Sequence, residues 1–168
     1  MRRTAEYYIE KLEMTKHPEG GWYKETYRSV GEIDQGNLGQ EFSGSRNYST
    51  SIYLLLQADE TSAFHRIKSD ELWHYHDGNG LTIHELNSEG EYLMHHLGLN
   101  LDLKETPQLI IPAGSWFASE VLANGDFCLV GCTVSPGFDF EDLELAKAND
   151  LLLKYPEQKN LVNRMCSL

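Results

Sequence analysis

Ser62-Ala63-Phe64-His65-Arg66-Ile67-Lys68-Ser69-Asp70-Glu71-Leu72-Trp73-His74-Tyr75-His76-Asp77-Gly78 is the stretch that decides how this chain folds. Two runs of β-type residues, Ser62 to Ile67 and Glu71 to His76, flank a short polar link, the pattern of two strands and a turn. His65, Glu71, His74 and His76 crowd into twelve residues. Imidazole and carboxylate at that density are the materials of proton transfer or of a first-row metal site, and residue type alone does not choose between them. Each histidine taken singly also has a plainer reading, as a hydrogen-bonded core or surface residue. Side chains alternate across a strand, so if Glu71 faces an interior, Trp73 and Tyr75 face it too while His74 and His76 face away. A bulge would reverse this.

Outward from that stretch, the same texture runs from about residue 20 to 135. Further strands are expected at Trp22 to Ser29, Tyr48 to Gln57, Leu81 to Leu86, Tyr92 to Leu97, Gln108 to Ile111, Trp116 to Val121 and Phe127 to Val134. Turn signals separate them: Asp77-Gly78-Asn79-Gly80, Ser88-Glu89-Gly90, and Asn124-Gly125, which predicts a type I′ hairpin. In the run from Tyr48 both faces carry apolar residues, as in a strand covered by a core on one side and by a second sheet or subunit on the other. Residues 31 to 45, rich in Gly, Gln, Asn, Asp and Ser, read as an exposed loop, either a lid or a surface excursion. Many short strands with frequent turns predict an antiparallel sandwich or barrel.

Helical patterns bracket this body. Ala5, Tyr8, Ile9 and Leu12 place one apolar face on a helix over about 4–14, ending before Pro18. After Pro136-Gly137, Asp139 is a capping residue, and Leu145, Ala148 and Leu152 repeat at helical spacing within a segment of about 140–165. A length of 168 residues suits one domain, 1–168, able to bury roughly two thirds of its unfolded surface.

With 26 acidic and 14 basic residues the formal charge is −12, a field that repels nucleic acid and anionic membrane surfaces. No apolar run approaches the roughly 20 residues that cross a bilayer. Nor does the segment after Met1-Arg2-Arg3 offer a secretory core, so a cytoplasmic location is expected. Cys128 and Cys132 fall in one strand roughly 13 Å apart, beyond disulfide reach, and Cys166 stands alone.

His65 to Glu71 with Gly78 resembles the first sequence motif of the cupins, and Pro112-Ala113-Gly114-Ser115-Trp116-Phe117 resembles the second. Of the four positions that hold a metal in many cupins, His65 and Glu71 keep a ligand, while Ile67 and Phe117 replace histidines. A divalent metal would rest on His65 and Glu71 alone, so none is expected. His17-Pro18-Glu19-Gly20-Gly21-Trp22-Tyr23, Asp70-Glu71-Leu72-Trp73-His74-Tyr75-His76 and Gly131-Cys132-Thr133-Val134-Ser135-Pro136-Gly137-Phe138 are similar to one branch, the Cupin_5 family.

That resemblance implies an all-β double-stranded β-helix, or jelly roll, with short terminal helices. It also implies a homodimer and a pocket compared with that of dTDP-sugar epimerases. The function expected is binding of a small polar or carbohydrate-like molecule, with metal-independent epimerase or isomerase chemistry. Two alternatives stay open, a non-catalytic binding protein and a metal-dependent enzyme. His65, Glu71 and Tyr75 are the candidate catalytic residues, with His65 removing a proton and Tyr75 or Tyr53 returning one. Arg46, Tyr53, Arg66, Trp73 and Phe117 are candidate ligand-binding residues, the arginines for an anionic substrate group. Trp22, Trp73, Trp116 and Phe117 have core or rim packing as the competing role.

Overall fold

The computed structural model describes residues 3–166. Met1, Arg2, Ser167 and Leu168 lie outside them, so the domain span 1–168 is described except at its ends. The helix α1 (Ala5–Lys11) is followed by the strands β1 (Thr15–Lys16), β2 (Trp22–Arg28), β3 (Glu32–Ile33) and β4 (Arg46–Asn47). The central strands are β5 (Thr50–Gln57), β6 (Thr61–Arg66), β7 (Asp70–Gly78), β8 (Leu81–Leu86) and β9 (Tyr92–Leu97). Then come β10 (Gln108–Ile111), β11 (Trp116–Val121), β12 (Phe127–Ser135) and β13 (Glu144–Leu145), and the helices α2 (Ala148–Lys154) and α3 (Lys159–Met165).

Two antiparallel sheets face each other, ordered β1-β2-β5-β12-β7-β10 and β13-β6-β11-β8-β9. Between them lies an apolar interior of Leu54, Leu56, Trp73, Leu81, Ile83, Ile111, Phe117, Val121, Cys128, Val130 and Cys132, one face of each contributing strand. Burying these side chains against water is the main force closing the barrel. This is the jelly roll.

Both outer faces are covered. Leu151, Tyr155, Val162 and Met165 of the C-terminal helices pack on Phe64, Leu86 and Ala118. Ala5 and Tyr8 of α1 pack on Leu55, Phe127 and Leu129. One cover of the two-faced strand β5 is therefore α1. The helix is also shorter than the 4–14 expected. Thr4 caps it, accepting from Tyr7 N–H, and it ends at Leu12 because Glu13 adopts a left-handed φ of 53°.

Three local expectations change. Asn124-Gly125 is not a hairpin, since β11 and β12 belong to different sheets, and only Asn124 has positive φ, 64°. Leu145 is not helical, because Glu144–Leu145 extends to pair with Arg66 and His65 on β6, leaving the helix to start at Ala148. The 31–45 segment is not featureless: Glu32–Ile33 pairs with Arg46–Asn47, and Phe42 is buried.

Candidate functional site

The Gly20-Gly21 turn between β1 and β2 folds against the opposite sheet. Gly20 (φ 117°) passes so near Thr61 that an added Cβ would lie 2.0 Å from its carbonyl oxygen, which only glycine permits. Ala63 N–H donates to the Glu19 carbonyl at 2.8 Å, pinning the turn to β6. That bond carries the Glu19 side chain over the barrel end, where His65 and Glu71 also point inward. Glu19, His65 and Glu71 are 6%, 2% and 8% exposed.

The three groups line a cavity of about 310 Å³ with His17, Tyr23, Glu25, Arg28, Cys132, Phe138 and Phe140. His65 Nδ1 is 2.7 Å from the Ala63 carbonyl, which only accepts, so Nδ1 carries the proton. His65 Nε2 lies 3.1 Å from Glu19 Oε2. Ser62 Oγ donates to Glu19 Oε1 at 3.2 Å, and His17 Nδ1 lies 3.5 Å from the same oxygen.

Burial governs the electrostatics. It pushes the His65 imidazole down to about 4 and raises the Glu19 carboxyl above its ordinary value, disfavouring charge on both partners. Burial, reinforced by the Glu19 charge, pushes Glu71 up to about 8. The Cys132 thiol and the Trp73 indole oppose that rise, although Trp73 Nε1 has no partner at hydrogen-bond geometry.

Of the residues singled out from sequence, His65 and Glu71 meet in this cavity; the others do not line it. Phe117 and Trp73 form the floor beneath, with the Phe117 ring 4.1 Å from the His65 ring and 6.1 Å from that of Trp73. Tyr75 does face inward with Glu71 and Trp73, but lower in the barrel, its hydroxyl donating to the Gly78 carbonyl at 2.7 Å. Tyr53 is on the outer face, against His76 and the α1 cluster. The β7 bulge falls at His76, too late to turn His74 inward. Arg46 is buried in a two-pronged pair with Asp142, both contacts 2.7 Å. Arg66 lies outside, over Trp116 and paired with Glu144. No residue of the 31–45 segment lines the cavity wall.

Glu19 is the residue that sequence reasoning missed. Its signal was there, a carboxylate beside two glycines in a turn, but it pointed to the turn alone. A metal fits poorly. Ile67 and Phe117 put carbon where two cupin ligands would be, His65 Nε2 is engaged by Glu19, and among the described residues no three His, Cys, Asp or Glu side chains are placed to hold an ion.

Residues 6–146 match the Cupin_5 family, described as Cupin superfamily (DUF985). The chain belongs to the Cupin_5 family. This Cupin_5 chain is similar to Uncharacterized protein YML079W of Saccharomyces cerevisiae, 33% identical over 153 residues that cover 86% of this chain and 76% of that one. Among solved structures it resembles protein SO0799 of Shewanella oneidensis, with TM-score 0.86 and 41% identity over 97% of both chains. A hypothetical protein from Leishmania major gives TM-score 0.87 at 34% identity over 97% of this chain and 98% of that one. Oxalate decarboxylase from Bacillus subtilis shares the fold alone, with TM-score 0.53 and 12% identity over 89% of this chain and 36% of that one. Among the described residues no helix is long and apolar enough to cross a membrane.

Proposed function

We propose that this Cupin_5 protein binds a small polar, carbohydrate-like molecule in the cup and moves a proton on it without a metal, in the manner of an epimerase or isomerase. The observation that carries the proposal is the convergence of His65, Glu19 and Glu71 in one enclosed hollow. Glu71, at about 8, changes charge near the working pH and lies where it can anchor the ligand beside the reacting carbon. The His65–Glu19 pair takes the proton of a C–H beside a ligand carbonyl, and reversal returns it to carbon.

The cavity is at the small end of ligand pockets, which span roughly 300 to 1,000 Å³. That size fits a monosaccharide-sized ligand better than a whole dTDP-sugar, and the arginine at the mouth is already taken by Glu25. A thermal-shift screen of sugars, nucleotide-sugars and small acids, followed by proton NMR of stabilising compounds in deuterated water, tests the proposal. Deuterium should enter at the carbon beside the carbonyl, and His65→Ala should abolish its entry while the fold survives. A compound that stabilises the protein and never exchanges favours the non-catalytic alternative.

We propose a homodimer as well, supported by the exposed Leu99, Leu101 and Leu103 before the end strand β10 and by Ile110 within it. A monomeric mass by light scattering at micromolar concentration overturns that.

A further inference from the structure

The cup is rich in acid and short of base. Its wall carries three carboxyl side chains, Glu19, Glu25 and Glu71, against one permanent cation, Arg28. Four of the five Arg28 N–H groups are taken by neighbouring residues. Its Nε and one terminal nitrogen donate to the two Glu25 oxygens at 3.1 and 2.8 Å, and the other nitrogen donates to Asn47 Oδ1 and the Phe138 carbonyl. It braces the mouth, and its charge is already matched by Glu25.

Glu71 is the second observation. More than nine tenths buried, it lines the hollow; among the described residues the groups that act on its carboxyl are the Glu19 carboxyl, the Cys132 thiol and the Trp73 indole, none of them a cation. An unpaired buried carboxylate is costly, and the group holds a proton at neutral pH instead. Above it the mouth is walled by Tyr23, Phe138 and Phe140, with Phe138 and Phe140 edge to face at 5.1 Å. Aromatic faces over buried acids are how proteins hold compact organic cations. The formal charge of −12 draws cations toward any opening.

We propose that the ligand of this cup carries a compact organic cation, a guanidinium or alkylammonium group, seated between the Glu71 carboxyl and the Tyr23, Phe138 and Phe140 rings. This rests on the cup being the ligand site, and adds the charge that the ligand must bear. Binding ionises Glu71 and expels its proton. The other titratable groups that face Glu71 are Glu19 and His17 of the β1–β2 turn, Glu25 and Arg28 of β2, His65 of β6 and Cys132 of β12.

The test is a matched pair of probes, methylguanidinium and its neutral isostere N-methylurea, titrated calorimetrically into the whole protein in buffers of different ionisation heat. At pH 7 methylguanidinium should bind at least about tenfold tighter and release close to one proton, with affinity rising up to tenfold per pH unit from 6 to 8 and then levelling. Glu71→Gln should lose that preference and the proton release, while its circular dichroism and cooperative thermal unfolding report an intact fold. Equal or tighter binding of N-methylurea overturns the inference while leaving the cup a ligand site for neutral molecules. So does methylguanidinium binding that Glu71→Gln leaves unchanged. Binding of neither probe overturns it too, and the sugar screen then judges the site by itself.

Discussion

Asp142 and Glu71 are buried to nearly the same depth, 5% and 8% exposed, and their environments drive them in opposite directions. Burial alone would raise Asp142, but hydrogen bonds from Arg46 and Lys68 outweigh it and hold the group below its ordinary 3.8. Glu71 has no such partner. Burial and the nearby Glu19 charge leave it at about 8. The first acid ties the 46 and 142 segments of the shell together; the second lies open to a hollow. Depth does not separate a structural carboxylate from a reactive one. The presence of a matched cation does.

The largest test of this contrast is Arg46→Ala, which strands Asp142 with Lys68 as its remaining cation and should cost about 3 kcal/mol in urea unfolding. A loss under about 1 kcal/mol would mean that water reaches Asp142 easily and that the pair is not structural.

Next in size is the pH response of Glu71. Between pH 6.5 and 8 the folded carboxyl, at about 8, keeps a proton that the unfolded one, at 4.5, has lost, so stability should fall as pH rises, by about 2 kcal/mol. Below pH 6.5 His65 works the other way. Its folded value of about 4 lies below the unfolded 6.5, so its contribution grows as pH rises from 4 to 6.5. Glu71→Gln should flatten the decline above pH 6.5; an unchanged slope would mean another group causes it.

Smaller is Tyr75→Phe, which removes the hydroxyl bond to Gly78 and should cost about 1 kcal/mol without altering ligand affinity in the cup. An affinity change would return Tyr75 to the site. Smallest is Arg66→Ala on the surface, about 0.5 kcal/mol by thermal unfolding, since its Glu144 partner is half exposed.

Much of the architecture was legible locally. The strand from Gln108 to Ile111 and those from Leu81, Tyr92 and Trp116 have the expected limits, because alternation and turn residues act over a few positions. The inward set of Glu71, Trp73 and Tyr75 followed from the strand period. The Asn124-Gly125 corner did not, since a turn signal marks a reversal without saying which sheet receives the next strand. Arg46 was a plausible anion seat until Asp142, far along the chain, turned out to occupy it.

The sequence by itself determined a double-sheet β body between short helices, a shared face for Glu71, Trp73 and Tyr75, and a net acidic charge, all consequences of side-chain period, turn chemistry and summed charge, while the inward His65 and Glu71 came from the family resemblance. Only the tertiary structure decided which charges meet. Glu19 reaches His65 because two glycines let a turn lie against Thr61 and a hydrogen bond from Ala63 anchors it there. Contacts between segments distant in the chain depend on packing that no local pattern encodes, and the same packing left Asp142 with a cation and Glu71 without one.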